Sequence, residues 1–417
     1  MKKKLTRILA AILTLALVFS LAACGGGSDN PGGGNDNPGA NTDAPGGGDN
    51  PGGGNDNPGG GSQDGFLIGY NQLVTGDFAL ESLAANTKYG IEGLGNRSMC
   101  VIAGGAVEQT VTDVENMITA GIDGLVLWLP IDSLYLTVAE MCESAGVYWV
   151  LCDKVPTDPA LLAQLNEYEY FCGGITPDNY SYGVAMAEYA LSQGWSKAYV
   201  QAPGIGDATG TPRMAGFKDT FEAGGGQILG EAHTDDANEA VTQAEDLYLA
   251  YGDEVDCILA TGAATFGSAA LNILQKYNDH RVKILAGDLD QTILNSMATD
   301  DYVAMDTGDF WVCGTFASVM LINALKGNML RDADGNAAII SNVPAFGVPA
   351  AYLDLFNKYI VGSPLFSNEE LETMIGVSTS EMESIVASYS LESRFQSKYE
   401  QGIISADEMA AAGITVG

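Results

Sequence analysis

The feature that most limits the fold of this chain is a regular alternation of short apolar runs and amphipathic stretches, which begins at Phe66. Runs such as 66–70, 125–129 and 147–151 have the length of buried strands. Between them lie stretches with apolar residues at helical spacing, for example Phe78 to about Ile91. Strands that alternate with helices in this way form parallel sheets with helices on both faces. The sequence therefore predicts an α/β fold.

The alternation occurs twice along the chain. One series ends with a predicted strand at 170–174, and a second begins with a predicted helix at 180–192 and ends with a long helix at 310–325. Two series predict two doubly wound parallel-sheet lobes joined by a hinge, with a ligand cleft where the carboxyl ends of the strands face each other. The predicted divisions are 65–177 plus about 309–340 for the N-terminal lobe, 178–308 for the C-terminal lobe, and about 341–417 for a C-terminal extension.

The extension carries no motif to which we can assign a chemistry. The sequence predicts loops and helices there, including helices at 368–374 and 380–395.

The first 64 residues have a different character from the rest of the chain. Three lysines at 2–4 and Arg7 precede an apolar run at 8–19, an order typical of an export signal. The run is shorter than the roughly 20 apolar residues that a membrane-spanning helix needs. Residues 25–64 are almost entirely Gly, Asn, Asp, Pro and Ser, and the unit Asp-Asn-Pro-Gly occurs four times. Because such a segment has no apolar surface to bury, we predict a disordered linker.

Leu21-Ala22-Ala23-Cys24, between the apolar run and the linker, resembles the lipobox of bacterial lipoproteins. In that family the signal peptide is cut before the cysteine, and the thiol and the new amino terminus carry lipid. The resemblance implies a signal peptide over 1–23 and lipidation of Cys24. It also implies an extracytoplasmic protein that the lipid anchors to the bacterial cell membrane.

Charge, cysteine and histidine content exclude several other classes of function. The net charge of −35 repels nucleic acid and anionic lipid headgroups, so we expect neither nucleic-acid binding nor membrane contact beyond the lipid. The chain has two histidines, and it contains no hydrolase, zinc-protease or phosphate-loop motif. We therefore predict a protein that is not an enzyme and that uses no metal or cofactor. The six other cysteines form no CxxC pair, and we expect buried free thiols, with disulfides left open: Cys100, Cys142, Cys152, Cys172, Cys257 and Cys313.

Five groups of residues stand in order along the chain: Ala120-Gly121-Ile122-Asp123-Gly124-Leu125-Val126 with Leu129-Pro130-Ile131-Asp132-Ser133, Ala145-Gly146-Val147 followed by Asp153-Lys154, Pro177-Asp178-Asn179-Tyr180 with Gly183, Arg213-Met214-Ala215-Gly216-Phe217, and Gly287-Asp288. Together they resemble the motifs of the type I periplasmic substrate-binding proteins, above all the ribose- and galactose-type sugar binders of ABC transporters. The resemblance covers about residues 66–327. It implies that the lobes close on a small molecule and present it to a membrane permease driven by an ATPase.

The resemblance also implies which side chains contact the ligand. Asp153, Arg213 and Asp288 stand at positions of polar contact, and Phe78 stands where a ring could stack on a sugar face. The alternative roles are a cap or hinge carboxylate for Asp153, a surface ion pair for Arg213 and a structural role for Asp288. Trp128 and Trp311 either line the cleft or belong to the core, and we expect the core, because large aromatic residues on strands and helices mostly pack inside.

The chain departs from the family pattern at three positions. Lys154 replaces the usual Arg, Thr261 replaces the Asn of an Asn-Asp pair, and Gly308 or Asp309 replaces a Gln. These changes leave open a modified sugar, a polyol, a nucleoside or a cationic ligand. The predicted ligand-binding set is Phe78, Asp153, Lys154, Arg213, Thr261, Asp288 and Asp309.

The sequence thus predicts a monomeric, membrane-tethered solute-binding protein of an ABC importer, with a sugar or sugar-like ligand and with permease and ATPase subunits as partners. Two alternatives stay open. One is a receptor of the same fold that reports to a membrane sensor kinase. The other is a surface α/β hydrolase that uses paired acids such as Asp288 and Asp290.

Overall fold

The computed structural model describes residues 65–106, 109–129, 131–308, 311–344, 346–348 and 350–416. Within these ranges the strands form two six-stranded sheets. The predictions for 1–64, which include the signal peptide, Cys24 and the linker, lie outside the described residues. Among the described helices, none has the length and the apolar character needed to cross a membrane.

The first lobe is built on one of these sheets. Its strands are β1 (Leu67–Gln72), β2 (Arg97–Ile102), β3 (Gly124–Leu127), β4 (Tyr148–Cys152), β5 (Phe171–Pro177) and β11 (Ile339–Val343). They lie side by side in the order 11-5-4-3-1-2, and every neighbouring pair is parallel. The helices of this lobe are α1 (Phe78–Gly93), α2 (Gln109–Thr119), α3 (Tyr135–Ala145), α4 (Pro159–Leu165) and α10 (Val312–Leu325).

The second lobe is built on the other sheet. Its strands are β6 (Lys197–Ala202), β7 (Gln227–His233), β8 (Cys257–Ala260), β9 (Lys283–Gly287), β10 (Val303–Gly308) and β12 (Phe346–Val348). Their order is 12-10-9-8-6-7, and only β12 is antiparallel to its neighbour among these strands. The helices are α5 (Asn179–Ser192), α6 (Gly210–Ala223), α7 (Ala237–Tyr251), α8 (Ser268–Tyr277) and α9 (Gln291–Thr299). The predicted α/β fold of two lobes is confirmed.

The chain passes between the sheets after β5, after β10 and after β11. At the first passage Asp178 caps α5, because its carboxylate accepts the backbone N–H of Ser181 at 3.1 Å. The backbone N–H of Asp178 donates to the carbonyl oxygen of Val343, 3.2 Å away, at the third passage. Two of the connections between the lobes are therefore joined to each other.

Helix α10 is apolar on all sides because it is covered on all sides. Every residue from Val312 to Ala324 is buried. A helix without a polar face is stable only when it is enclosed. One side of α10 packs on the first sheet and another on α1. Chain after β12 provides further cover, for instance where the ring of Phe316 lies 5.5 Å from that of Phe366.

The C-terminal helices are α11 (Leu353–Tyr359), α12 (Asn368–Thr373), α13 (Thr379–Ala387), α14 (Leu391–Glu400) and α15 (Ala406–Ala411). The prediction of one helix over 380–395 is wrong, because α13 ends and α14 begins within it. Ser390 starts the second helix by accepting the backbone N–H of Ser393 at 3.1 Å. Five of the six described cysteines are buried, as expected, but Cys100 is exposed, because β2 is an edge strand.

Two glycines allow α5 and α6 to touch backbone to backbone. A methyl group on Gly183 would overlap the carbonyl oxygen of Arg213, and one on Gly216 would overlap that of Tyr180. The glycines of these two motifs therefore set how closely the helix that carries Arg213 approaches its neighbour.

We expect Gly183→Ala or Gly216→Ala to lower the free energy of unfolding by about 1–3 kcal/mol, because the helices would have to separate. The measurement is urea denaturation of the full chain. Gly262→Ala is the matched control, since its new methyl group would have its nearest neighbour at 3.7 Å, an ordinary contact. Equal losses in all three variants would contradict this account.

Asp306, on β10, is a fully buried carboxyl group. Its Oδ2 accepts the backbone N–H of Asp290 at 3.1 Å, whereas its Oδ1 has no hydrogen-bond partner and the group has no ion pair in the described chain. Burial raises the pKa of Asp306 well above its ordinary value, and the nearby charges of Asp288 and Asp290 raise it further. The folded protein therefore holds this proton at pH values where the unfolded chain has lost it.

Above about pH 4 the carboxyl group of Asp306 ionises in the unfolded chain but stays protonated in the folded protein. Asp306 therefore lowers the free energy of unfolding more and more as pH rises, until pH exceeds the pKa of the group in the folded protein. Asp306→Asn removes the ionisation and keeps an oxygen acceptor for Asp290. We expect the variant and the unaltered chain to be similarly stable near pH 4, and the variant to gain about 1–3 kcal/mol at higher pH. Urea denaturation at a series of pH values measures the difference. A stability difference between the two proteins that does not change with pH would contradict a raised pKa of Asp306.

Candidate functional site

A cleft of about 290 Å³ lies between the two lobes. Four of the residues that line it directly follow a strand: Trp128 after β3, Asp153 after β4, Thr261 after β8 and Asp288 after β9. This is the edge at which parallel α/β sheets bind ligands. The cleft is lined by Asp77, Phe78, Ala79, Leu80, Trp128, Asp153, Lys154, Pro203, Asp207, Thr209, Gly210, Arg213, Thr261 to Phe266, and Asp288 to Asp290.

Six of the seven residues of the predicted ligand-binding set lie together in this cleft. These are Phe78, Asp153, Lys154, Arg213, Thr261 and Asp288. The seventh, Asp309, lies outside the described residues.

Arg213 is buried, with 1% of its surface exposed. Its guanidinium contacts four residues of the second lobe. Nη2 lies 2.6 Å from Oδ1 of Asp288, and Nη1 donates to the carbonyl oxygen of Thr261 at 2.9 Å. Nε donates to Oδ1 of Asn179 at 3.0 Å, and the group lies 4.5 Å from the ring centre of Tyr182. Burial alone would lower the pKa of Arg213, but the charge and hydrogen bond of Asp288 reverse the effect and raise it. The guanidinium is thus charged and fixed in place.

Thr261 contributes to this arrangement mainly through its backbone. Its carbonyl oxygen accepts from Arg213, and its hydroxyl donates to the carbonyl oxygen of Gln201 at 3.3 Å. The hydroxyl proton of Thr261 is therefore directed to strand β6 and not to the cleft.

Asp153 is buried and has a left-handed backbone, with φ of 66°. Its Oδ2 accepts the indole N–H of Trp128 at 2.8 Å, and its Oδ1 accepts no hydrogen bond from the described part of the chain. Burial raises the pKa of Asp153; Lys154 and the Trp128 hydrogen bond oppose the shift, and Asp288 adds to it. The free oxygen is therefore available to a donor in the cleft.

The expectation that Trp128 belongs to the core is wrong. The side chain is half-buried and lines the cleft, where it orients Asp153. The available signal was its position at the end of β3, which matches that of Asp153 at the end of β4. Trp311 is fully buried, as expected.

Lys154 connects the two walls of the cleft. Its Nζ donates to the hydroxyl of Thr209, which directly precedes α6 in the second lobe. Since Lys154 follows β4 in the first lobe, this hydrogen bond joins the lobes across the cleft.

Phe78 is the first residue of α1. Its ring packs against an aromatic residue that does not line the cleft. The ring meets Trp311 edge to face at 5.6 Å, and Trp311 stacks on Phe356 of α11 at 5.9 Å. The C-terminal helices thus act on the cleft indirectly, through a row of aromatic rings.

Three further acids line the cleft at the starts of helices. Asp77 accepts the backbone N–H of Leu80 at 2.8 Å, and Asp290 accepts that of Thr292 at 2.8 Å. Asp207 accepts that of Thr209 at 2.9 Å, just before α6. Asp77 and Asp207 were not in the predicted set, although Asp77 stands directly before a helix and is a recognisable cap. In the described chain, no group of three or more metal-ligating side chains is arranged to hold a metal ion.

Comparisons with known proteins agree with this architecture. A sequence model of the periplasmic binding protein domain matches residues 84–329. No curated protein sequence gives a significant match.

Similar solved structures include an ABC transporter solute-binding protein from Bacillus halodurans with bound myo-inositol, at 16% identity and a TM-score of 0.55, covering 71% of this chain and 99% of that one. A periplasmic ribose ABC transporter from Conexibacter woesei has 14% identity and a TM-score of 0.59, covering 72% and 97%. A 5-methylthioribose transporter solute-binding protein from Thermotoga lettingae, in complex with 5-methylthioribose, has 17% identity and a TM-score of 0.57, covering 75% and 97%.

At these identities the structural likeness shows the fold, whereas the family model matches the sequence itself over more than half of the chain. The chain therefore belongs to the periplasmic binding protein family, with the type I two-lobed fold that its motifs predict.

Proposed function

We propose that the chain captures a small, hydroxyl-rich ligand, a sugar or a sugar-like molecule, between its lobes and delivers it to an ABC importer. The observation that carries this proposal is the cleft itself, where aromatic side chains lie beside a carboxylate oxygen that accepts no hydrogen bond from the described residues. Sugars present apolar ring faces and hydroxyl donors, which aromatic rings and carboxylates respectively recognise. The ligands named for the similar structures, myo-inositol and 5-methylthioribose, belong to this chemical class.

The proposed ligand contacts use the ring faces, acceptor oxygens and N–H donors that each side chain does not already use within the described protein. Phe78 and Trp128 pack on the apolar faces of the ligand. Asp153 accepts a hydroxyl proton at Oδ1, and Asp288 does so at the oxygen that Arg213 leaves free. Arg213 uses only some of its five N–H groups within the protein and can donate the rest. Lys154 and Thr261 border the ligand, and the role of Asp309 stays a prediction.

Ligand binding shifts the lobes toward a closed state, because contacts from both walls form together only there. The hydrogen bond between Lys154 and Thr209 already joins the walls, and it favours closure. The proposed division into lobes keeps 65–177 and 178–308 as predicted from the sequence, with the returning chain from about 309 in the first lobe. The predicted start of the extension at about 341 moves to after β12, because β11 belongs to the sheet of the first lobe and β12 to that of the second.

The remaining parts of the proposal concern the setting of the protein. After removal of residues 1–23, Cys24 carries lipid and holds the protein, as a monomer, outside the cytoplasmic membrane. Permease and ATPase subunits receive the ligand unchanged, and the protein performs no catalysis. No observation favours a hydrolase, because Asp288 pairs with Arg213 and Asp290 caps α9.

The first test measures thermal unfolding of the full chain with sugars, polyols and nucleosides. A ligand at 100 times its Kd is expected to add about 2.7 kcal/mol of stability. If no compound of these classes stabilises the chain, the proposed ligand class is wrong. In cells, loss of the protein is expected to abolish uptake of the ligand; normal uptake with a lost transcriptional response would instead indicate the sensor role.

We expect Trp128→Phe to weaken ligand binding about tenfold, because Phe keeps an aromatic face but cannot donate to Asp153. Isothermal titration calorimetry with a ligand from the first test measures the loss. Trp149→Phe is the matched control, since Trp149 is fully buried and does not line the cleft. It is expected to change stability and leave Kd unchanged. Equal affinities of the two variants would remove Trp128 from the proposed site.

A further inference from the structure

The cleft contains more acid than base. Its lining includes five carboxylates, and Lys154 and Arg213 are the two basic side chains among the lining residues. The five acids are Asp77, Asp153, Asp207, Asp288 and Asp290. Three of them stand at helix starts, where the partial positive charge of the helix compensates them. Asp153 and Asp288 are the two that do not accept a backbone N–H group at a helix start.

Neither base donates a hydrogen bond to Asp153 in the described chain, although the charges of Lys154 and Arg213 both oppose the rise of its pKa. Arg213 pairs with Asp288 at 2.6 Å and donates to two further protein oxygens. Lys154 directs its Nζ to the hydroxyl of Thr209, and it forms no ion pair within 4 Å in the described chain. Asp153 is therefore a buried acid whose only hydrogen bond to its carboxylate, among the described residues, comes from the neutral indole of Trp128.

Asp153 and Asp288 belong to opposite lobes and act on the same space. The charge of Asp288 is one of the causes that raise the pKa of Asp153, as expected for neighbouring carboxylates. Each has an oxygen without a partner in the described chain, Oδ1 of Asp153 and Oδ2 of Asp288. A methyl group at Gly262, which lines the cleft, would lie 4.0 Å from Oδ2 of Asp288. Closure of the lobes would bring these two oxygens, one from each wall of the cleft, against the ligand.

We infer that the ligand carries a protonated amino group beside its hydroxyls, as amino sugars and amino polyols do, and that this group binds between Asp153 and Asp288. An ammonium group donates three hydrogen bonds and neutralises charge, whereas a hydroxyl only donates one. The aromatic faces of Trp128 and Phe78 in the same cleft also favour a cation. The net charge of −35 concentrates cations around the whole protein. This inference rests on the proposed function, because it names the ligand class of the same cleft.

The test compares ligands that differ at one group, by isothermal titration calorimetry on the full chain. The probes are D-glucosamine, D-glucose and N-acetyl-D-glucosamine, the corresponding galactose series, and glucamine with sorbitol. We expect the amine of a series to bind at least about tenfold more tightly than its neutral partners, with a preference that falls as salt rises. Equal or tighter binding of the neutral members would overturn the inference and leave the proposed function intact. Absence of binding by every member would overturn the inference, and it would overturn the proposed function as well only if no compound in the thermal unfolding test stabilised the chain.

A substitution at Asp153 tests whether this residue causes the preference for the amine. Asp153→Asn keeps the shape of the side chain, and Asn tolerates the left-handed backbone at this position. It is expected to reduce the amine-to-neutral affinity ratio to near one. Asp246→Asn, which removes an exposed acid outside the cleft, is the control and is expected to keep the ratio. If thermal unfolding shows that Asp153→Asn does not fold, Asp288→Asn replaces it. An unchanged ratio in the folded cleft variant would overturn the inference.

Discussion

The buried guanidinium of Arg213 is the interaction on which the second lobe and its side of the cleft depend. A buried charge is strongly destabilising unless charged and polar partners surround it. Its partners come from the start of α5, the end of β8 and the end of β9, and α6 carries the arginine itself. These elements must therefore meet at one point. The close approach of α5 and α6 at Gly183 and Gly216 makes that meeting possible, so the two glycine motifs and the arginine form one structural unit.

On the side of the cleft formed by the first lobe, the side chains are held by neighbouring aromatic residues. Trp128 orients Asp153, and Phe78 rests on Trp311. Trp311 in turn rests on α11, which belongs to the C-terminal helices. Because these helices also cover α10, they contribute both to the stability of the first lobe and to the position of an aromatic side chain in the cleft. None of their residues lines the cleft within the described chain, so their influence on a ligand is indirect.

Acidic side chains in this cleft serve two physical purposes. Asp77, Asp207 and Asp290 accept backbone N–H groups at helix starts, and each would stabilise its helix in any protein of this fold. Asp153 differs from them, because burial raises its pKa and no basic side chain pairs with it in the described structure. Unusual electrostatics at a concave, partly aromatic site is the usual mark of a ligand-binding position. A composition count alone would not have separated these two groups of acids.

The sequence by itself determined the α/β class, the two series of strands and the positions just beyond the strand ends, because apolar periodicity is a local property of the chain. The predicted ligand-binding set came instead from the resemblance to the family's motifs, and six of its seven residues lie in one cleft. The break between α13 and α14 was missed because the Ser390 cap competes with an otherwise continuous helical pattern. Only the tertiary structure decided that Trp128 donates to Asp153, that Lys154 reaches Thr209, and that the C-terminal helices cover α10. Each of these contacts joins segments that are distant in sequence, and their partners depend on how whole elements pack.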